Sequence, residues 1–283
     1  MIILAIESSC DETAMAIVED GRKILSNTVY TQIAIHTMYG GVVPEVASRE
    51  HIKKVTYVLD EVLKQANMTL DDIDAVAVTK EPGLIGSLMV GVNTAKTISL
   101  CFNKPLIYVN HIHGHIYANY LEEDFTFPLL ALVVSGGHTE LVLMKDHMDF
   151  EILGETLDDA VGEAYDKVAR VVGVGYPGGP IIDKMASQGE PVYPLPHIKL
   201  SKDSLDFSFS GLKSAVINLC HNANQRGETI DANNLAASFQ NAVIDVLVSK
   251  TVLAATMHNV KQVIIAGGVA ANKGLRSAMQ EAM

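Results

Sequence analysis

The chain has 283 residues, of which 48% are hydrophobic and 19% charged, and its 21 Lys and Arg against 33 Asp and Glu give a formal net charge of −12. This composition excludes an intrinsically disordered chain, which would be less apolar, and a chain embedded mainly in a membrane. The negative charge argues against a general nucleic-acid binder, because such proteins gain affinity by neutralising phosphates, although a local basic patch or a basic partner stays compatible with it.

The N-terminal sequence and the spacing of the cysteines indicate the cellular compartment. The N-terminal stretch MIILAIESSCDET lacks a basic region before its apolar residues, so it does not resemble a signal peptide. No apolar run approaches the ~18 residues of a membrane-spanning helix. The three cysteines (Cys10, Cys101 and Cys220) are widely spaced, which excludes a disulfide framework. We therefore expect a cytoplasmic protein with no membrane partner.

The first half of the chain alternates apolar runs with turn residues. Its predicted elements are strands at 2–7 and 14–18, a helix near 49–67, a strand at 73–78, a helix near 84–102 and a strand at 106–109. Asp20-Gly21 is a hairpin signal after the second strand. In the helix near 49–67, apolar residues recur at helical spacing. They are Ile52, Val55, Val58, Leu59 and Leu63.

Near residue 128 the same order of elements begins again. The second half has predicted strands at 129–134 and 140–144, helices at 156–171 and near 234–258, a strand at 262–266 and a helix from about Asn272. The repetition predicts a duplicated α/β unit, with lobes at 1–127 and 128–283, although α/β proteins without a duplication also have this order of strands and helices. Two facing lobes would place their strand-end turns across one cleft, where open α/β sheets bind ligands.

Each half opens with a small polar turn between two strands. The first turn is Ser-Ser-Cys-Asp-Glu-Thr at 8–13 and the second is Ser-Gly-Gly-His-Thr at 135–139. A Gly-Gly pair lets the backbone approach a ligand and point N–H groups at a phosphate. Asp11 and Glu12 would repel a phosphate, so they suit a cation, a ribose hydroxyl or proton transfer. An ordinary hairpin is the alternative for either turn.

A glycine-rich segment at 173–183 follows the helix predicted at 156–171. The buried stripe of that helix is predicted to comprise Leu157, Val161, Ala164, Val168 and Val171. Its charged face is a solvated surface by default, but Asp166 and Asp183 flank the glycines and suit hydrogen bonds from ribose hydroxyls. A further Gly-Gly turn at 267–268 leads into a helix whose N-terminus favours an anion.

Three histidines follow the strand at 106–109. His111 and His115 are four residues apart, so on a helix they stand one turn apart, roughly 6 Å along the axis, and can bind one metal ion. Polar surface is the alternative. A metallopeptidase of the H-E-x-x-H type needs Glu after the first histidine, where this chain has Ile112. Two ligands leave a metal site incomplete, so a third, expected to be a carboxylate, must come from elsewhere.

Several ordered motifs together resemble one known family, from the first residue to the last. The motifs are ESSCDETA at 7–14, YGGVVPEVASREH at 39–51, PGLIGSLMVG at 82–91, HIHGH at 111–115, VSGGHT at 134–139, the stretch 154–183, FSFSGLKS at 207–214 and AGGVAANKGLR at 266–276. In these segments the chain resembles the catalytic subunits of bacterial tRNA threonylcarbamoyladenosine synthase, formerly described as O-sialoglycoprotein endopeptidases or glycoproteases.

The resemblance implies a two-lobed, actin-like ATPase fold, a duplicated ribonuclease H-like architecture that sugar kinases share. It implies an acyltransferase that moves a threonylcarbamoyl group from threonylcarbamoyl-AMP to N6 of adenosine 37, in tRNAs that read codons beginning with A. A separate enzyme would make this intermediate from threonine, bicarbonate and ATP. The implied partners are tRNA, an inactive paralogue that dimerises through the first lobe, and a small ATPase.

The resemblance also implies site residues. His111 and His115 match the ligands of one divalent metal ion, iron or zinc. Contacts to the adenylate, or to ATP or ADP in the cleft, match Val134, Ser135, Gly136, Gly137, His138, Asp166, Gly179, Asp183 and Asn272. The family's third metal ligand is an Asp on a further strand and helix, which lie beyond Met283. Glu81 stands where the family usually has Gly, so we expect strain there if the position requires a positive φ.

The proposed chemistry is attack by an aromatic amine on a carbamoyl carbon, with AMP leaving, so positioning and charge stabilisation outweigh a strong base. A patch including Arg49, Lys53 and Lys54 is a hypothetical tRNA contact. Three alternatives stay open. They are a nucleotide-dependent kinase or ATPase of the same fold, which would use Asp11 with magnesium and would not need the histidines, a metallopeptidase, and a non-catalytic scaffold.

Overall fold

The computed structural model of the protein describes residues 1–196 and 204–283. Residue contacts divide the chain into two compact units, Met1–Glu123 and Asp124–Met283. The sequence pattern places the division after residue 127, where the second run of strands begins. Each unit has a hydrophobic cluster of its own, so each is described separately below.

The first unit contains a five-stranded mixed sheet. Its strands are β1 (Ile2–Glu7), β2 (Glu12–Glu19), β3 (Lys23–Thr31), β4 (Ala75–Glu81) and β5 (Leu106–Asn110). They lie in the order β3-β2-β1-β4-β5. The first three form an antiparallel meander, whereas β4 and β5 run parallel to β1. The carboxyl ends of β1, β4 and β5 therefore meet at one edge of this sheet.

Four helices accompany this sheet. They are α1 (Ile33–Thr37), α2 (Pro44–Ala66), α3 (Ile85–Phe102) and α4 (His111–Ala118). Pro44 is the first residue of α2, a position whose N–H has no partner within the helix, and Asn67 ends α2 in the left-handed conformation. Val55, Val58 and Val62 of α2 are buried in the same cluster as the inward residues of β1 and β4. This packing fixes α2 on the sheet.

The second unit contains a four-stranded sheet. Its strands are β6 (Leu129–Val134), β7 (Thr139–Met144), β8 (Phe150–Glu155) and β9 (Gln262–Ala266), in the order β8-β7-β6-β9. Every residue of β6 is buried, which explains its uninterrupted apolar sequence. Since β9 runs parallel to β6, the loops that follow these two strands lie at the same edge.

Five helices of the second unit complete the described residues. They are α5 (Val161–Val172), α6 (Gly178–Ala186), α7 (Ser210–Gln225), α8 (Ala232–His258) and α9 (Lys273–Ala282). Helix α8 is the centre of the core, because it buries residues on most of its turns. Helix α7 begins where Asp158 accepts hydrogen bonds from the backbone N–H groups of Phe209 and Ser210 and from two serine hydroxyls. The FSFSG sequence thus has a structural role.

The two sheets repeat one topology. In each, the first strand pairs antiparallel with the second on one side and parallel with a later strand on the other. The predicted duplicated α/β architecture is therefore confirmed.

Several local predictions were wrong, each for a tertiary reason. Ile52 was assigned to the buried stripe of α2 but is 65% exposed. Residues 106–109 were predicted to be a buried strand, but β5 is an edge strand with Ile107 and Tyr108 exposed. Helix α5 begins at Val161 rather than at residue 156, so Leu157 precedes it and is exposed.

Glu81 lies at the end of β4, where it pairs with Asn110. Its φ is not positive, unlike that of the five non-glycine residues Asp20, Asn67, Asn103, Met148 and Asn259. The strain expected from a glutamate at this position is therefore absent.

Helix α3 differs from the expectation that no segment could span a membrane. By length and composition alone it is long and apolar enough to do so, with a mean hydropathy of 1.3 over its 18 residues. Mostly buried core helices pass the same test, but only 22% of α3 is buried; its buried residues include Leu88, Ala95 and Ile98. One such helix is weak evidence for membrane insertion.

Candidate active site

The two predicted metal ligands lie together on α4. This helix begins immediately after β5, and the side chain of Asn110 accepts hydrogen bonds from the N–H groups of Ile112 and His113. The cap therefore starts the helix at His111. The ring centroids of His111 and His115 are 4.4 Å apart, with their planes at 73°. One helical turn thus brings the two imidazoles into contact, as their spacing predicts.

Glu7 holds the ring of His111, and sequence analysis had not identified it. Its Oε2 lies 3.2 Å from His111 Nδ1 and accepts a hydrogen bond of 2.6 Å from Thr79 Oγ1, while Oε1 accepts one from the backbone N–H of Ser9. Burial opposes ionisation of this carboxyl group, but the bonds from His111, Ser9 and Thr79 outweigh it and lower the pKa of Glu7 to about 2.

This contact determines where the imidazole carries its proton. An ionised carboxylate can only accept, so the Nδ1 of His111 donates to Glu7, and Ser9 Oγ, which also lies 3.2 Å from Nδ1, is a second acceptor for the same proton. The lone pair of the neutral ring then lies on Nε2, which is the form that binds a metal. Three strand ends supply the arrangement, because Glu7 ends β1, Thr79 lies near the end of β4 and His111 follows β5.

Among the residues that the structure describes, no group of three or more His, Cys, Asp or Glu side chains is arranged to hold a metal ion. The donor chemistry of His111 and His115 nevertheless fits iron or zinc, since both metals accept imidazole nitrogen. The two histidines are therefore suited to supply two ligands of an iron or zinc ion. The metal site itself stays a prediction.

The turn at 8–13 is held by buried contacts. Ser8 Oγ donates to the carbonyl of Ser87 and accepts from the N–H of Gly91. Burial, together with the neighbouring Asp11 carboxylate, raises the pKa of Glu12 to about 7, the range suited to proton transfer near neutral pH. Burial and the same carboxylate also raise the pKa of the Cys10 thiol, so Cys10 is not an activated nucleophile.

His51 of α2 forms hydrogen bonds with two residues of this turn. Its Nδ1 lies 2.7 Å from Thr13 Oγ1 and its Nε2 lies 2.9 Å from the Cys10 carbonyl oxygen. Because that carbonyl only accepts, Nε2 carries the proton and Nδ1 accepts from the threonine hydroxyl. His51 is therefore a neutral histidine with both ring nitrogens hydrogen-bonded.

We expect the free energy of unfolding to fall on acidification through the unfolded-state pKa of His51, about 6.5. Burial lowers the pKa of His51 in the folded state, although Glu7 and Asp11 oppose this and His36 reinforces it. Below pH ~6.5 the unfolded chain then binds more protons, so stability is lost as pH falls, by at most about 1.4 kcal/mol per pH unit. Urea unfolding between pH 8 and pH 5 measures the slope. A His51→Gln variant with an unchanged slope would contradict the assignment.

In the second unit, the predicted adenylate residues collect at the carboxyl ends of β6 and β9. Ser135 follows β6 and closes a tight turn, in which its Oγ accepts from the N–H groups of Gly137 and His138 at 3.3 and 3.0 Å. Asn272 follows β9 and caps α9 by accepting from the N–H of Leu275. The amide of Gly137, which was predicted to face a phosphate, and the amide of His138 are therefore paired with Ser135, and a phosphate there would replace that hydroxyl as acceptor.

The glycines at this edge divide into two kinds. A Cβ on Gly267 would lie 2.4 Å from the Val134 carbonyl oxygen, and one on Gly162 would lie 2.6 Å from that of Ser135. These two glycines are required by packing. Around a Cβ on Gly136, Gly137 or Gly179, in contrast, the chain has no atom within 4 Å, and none of the three has a φ in the left-handed region. Their open space suits an approaching ligand.

The two predicted aspartates lie on helices and already have partners. Asp166 of α5 accepts a 2.7 Å hydrogen bond from the N–H of Gly178 and so caps α6. Asp183 was predicted to flank a glycine loop but lies within α6, where it accepts from Gln240 Nε2 and from the N–H of Lys273. Gln240 was not identified from the sequence, where a single glutamine in an apolar helix is its only signal.

Comparison with known proteins places the chain in a family. Relatives named tRNA N6-adenosine threonylcarbamoyltransferase are 60% identical in Staphylococcus saprophyticus, 61% in Bacillus subtilis and 62% in Bacillus licheniformis. Each match covers 99% of this chain and 81–82% of the relative.

Solved structures of the same fold are far less similar in sequence. Component A of the (R)-2-hydroxyglutaryl-CoA dehydratase of Acidaminococcus fermentans aligns with a TM-score of 0.57 at 16% identity, covering 99% of this chain and 87% of that one. HypF of T. kodakarensis aligns with a TM-score of 0.63 at 14% identity, over 99% of this chain and 43% of its own. These neighbours support the predicted actin-like ATPase fold.

The family comparison agrees with both the sequence motifs and the fold. The family model described as TsaD, tRNA N6-adenosine threonylcarbamoyltransferase, matches residues 23–283. The chain therefore belongs to the tRNA N6-adenosine threonylcarbamoyltransferase family.

Proposed function

We propose that this chain transfers a threonylcarbamoyl group from threonylcarbamoyl-AMP to N6 of adenosine 37 in tRNAs that read codons beginning with A. The observation that carries the proposal is the 57–62% identity to transferases of this name over 99% of the chain. The reaction joins the adenosine amine to the carbamoyl carbon and releases AMP. Since AMP is a good leaving group, the protein has mainly to position the two reactants and stabilise charge.

The adenylate half of the donor is assigned to the second unit. Gly136, Gly137 and Gly179 leave room for it, and its phosphate would replace the Ser135 hydroxyl as the acceptor for the N–H groups of Gly137 and His138. Asp166, Asp183 and Asn272 offer acceptors for ribose hydroxyls or donors for the base at the same edge of the sheet. This assignment is supported by the open glycine positions, which packing leaves unexplained.

The first unit is assigned to the metal. His111 and His115 would hold one divalent ion, iron or zinc, which when bound would polarise a carbonyl oxygen or bind a carboxylate. Glu7 holds the His111 ring through its Nδ1. Glu12, whose pKa is raised by burial and by Asp11, is a candidate to accept the proton of the attacking amine. A metallopeptidase is disfavoured, because Ile112 lies where its general base would be and is buried.

Partners are proposed from the first unit's surface. In the hypothetical tRNA patch, Arg49 and Lys53 each pair with a glutamate on α2, which partly neutralises their charge, whereas Lys54 lies over the uncharged ring of Tyr30. Large apolar residues on α2 and α3 are exposed instead. They are Ile52, Tyr57, Ile85, Met89 and Leu100. We assign this surface to the inactive paralogue, with a small ATPase as a third subunit, in the cytoplasm.

The test is modification of an unmodified tRNA transcript by the purified chain with its partner subunits and threonylcarbamoyl-AMP. Mass analysis of the digested nucleosides should show threonylcarbamoyladenosine, and a transcript with guanosine at position 37 should show none. Omitting each partner in turn measures its contribution. If no product forms with all subunits present, while this chain alone hydrolyses ATP, the kinase or ATPase alternative is favoured and the proposal is wrong.

A further inference from the structure

A closed ring of hydrogen bonds joins three buried or partly buried side chains of the second unit to the first turn of α9. Gln240 Nε2 donates to Asp183 Oδ1 at 3.0 Å, and Asn272 Nδ2 donates to Gln240 Oε1 at 2.8 Å. The ring closes through α9, because the N–H of Lys273 donates to Asp183 Oδ2 and that of Leu275 donates to Asn272 Oδ1. Asp183 and Asn272 are thus linked by a single side chain.

Each position in the ring accepts only one arrangement of donors and acceptors. The Asp183 carboxylate only accepts, so the Gln240 amide must present its NH₂ there. Asn272 uses its oxygen as the helix cap, so it must present its NH₂ to the remaining Gln240 oxygen. A neutral amide donates to one partner and accepts from the other, whereas an ionised carboxylate of the same size can only accept.

The surrounding core holds Gln240 in place. Its side chain lies on α8 and is only 7% exposed, and the buried Tyr165 hydroxyl lies 3.4 Å from its Oε1. A Cβ at Gly274, in the first turn of α9, would lie 2.8 Å from Gln240 Nε2 and 3.0 Å from Ile244 Cδ1. The absence of a side chain at Gly274 therefore allows α9 to pack directly against the Gln240 amide.

We infer that Gln240 is a positioning residue, which orients Asp183 and Asn272 together for the adenylate. The inference rests on the proposed role of those two residues. Gln240 itself does not touch the ligand. Its contribution is to hold one acceptor and one amide in fixed orientations, since either could otherwise rotate toward water or toward the other.

The first test replaces Gln240 with methionine, which keeps the volume and removes both hydrogen bonds. AMP is the probe, its affinity is measured by titration calorimetry, and thermal unfolding monitors the fold. We expect AMP to bind at least tenfold more weakly to Gln240→Met, because two polar partners lose a fixed neighbour. The matched control is Asn241→Met, an exposed amide on the same helix, which should bind AMP normally.

The second test replaces Gln240 with glutamate and follows pH. An ionised carboxylate would repel Asp183, whereas a protonated one would donate to it as the amide does. The ratio of variant to wild-type AMP affinity should therefore be low at pH 8 and recover as pH falls toward 5.5. A purely structural role would not produce this recovery, because acid does not restore a lost packing contact. A ratio that is the same at every pH overturns the inference.

A third variant separates this inference from the proposed function. If Asp183→Ala leaves AMP affinity unchanged, the adenylate assignment itself is wrong. If Asp183→Ala weakens AMP binding but Gln240→Met does not, the adenylate assignment holds and the positioning role is wrong. In an Asp183→Ala, Asn272→Ala background, adding Gln240→Met should change AMP affinity less than twofold, since Gln240 acts through those residues.

Discussion

Replacing His111 and His115 with alanine should abolish threonylcarbamoyl transfer and weaken zinc binding at least a hundredfold. The two rings touch one another on one turn of α4, and no other described side chains form a larger metal-ligating group. Zinc affinity is measured by competition with a chelating dye, independently of activity. His221→Ala, at an exposed histidine of α7, is the control. Normal transfer by the double variant would exclude the metal assignment.

Glu7→Gln provides a finer version of the same experiment, because it changes no imidazole. An amide at this position would keep its oxygen on the Ser9 N–H, which needs an acceptor. Its NH₂ would then face Thr79 Oγ1, which can rotate to accept, and the Nδ1 of His111. With an amide N–H in place of the carboxylate oxygen, we expect the Nδ1 of His111 to accept, from the amide or from the Ser9 hydroxyl, so that its proton moves to Nε2 and the lone pair leaves the metal side.

The expected result for Glu7→Gln is therefore a change of tautomer and a loss of zinc affinity of about tenfold to a hundredfold. Nitrogen chemical shifts of the His111 ring report the tautomer without any metal. Thr79→Val is the matched control, since it removes one bond to Glu7 but leaves the carboxylate able only to accept. If Glu7→Gln keeps the proton on Nδ1, Glu7 does not determine the tautomer.

The elements that the sequence predicted best are strands that are short apolar runs. β6 and β9 were predicted at their observed bounds, β6 because every residue in it is buried, and β9 because its residues after Gln262 are all apolar, although three of its five residues are only half-buried. Strand β8 was missed, since it is an edge strand with mixed exposure. Helix α6 was read as a glycine loop, because Gly178 and Gly179 are poor helix formers and the cap that starts it, Asp166, lies on another helix.

The same distinction applies to the site. His111 and His115 could be predicted because helical spacing alone brings them together. Glu7, His51 and Gln240 could not, since each acts on a residue far away in the sequence. Glu7 is 104 positions from His111, and Gln240 is 57 from Asp183. A glutamate at the end of a strand or a glutamine in an apolar helix has no local pattern, so only the folded chain identifies its role.

The second large effect is expected at an open glycine of the second unit. Unlike a substitution in the core, alanine there should weaken ligand binding without lowering the free energy of unfolding. Gly137→Ala should weaken AMP binding at least tenfold, because the methyl group would occupy the space proposed for the adenylate. Its stability should be unchanged or raised by up to about 1 kcal/mol, since the position is open and φ is not in the left-handed region.

Gly267→Ala is the matched opposite. Gly267 has a φ of +92°, and a Cβ there would lie 2.4 Å from the Val134 carbonyl oxygen. This variant should lose about 2–4 kcal/mol of unfolding free energy, through strain and overpacking together. Urea unfolding and AMP titration of both variants separate a glycine kept for a ligand from one kept for the fold. Undiminished AMP affinity in Gly137→Ala would mean that the adenylate does not approach this turn.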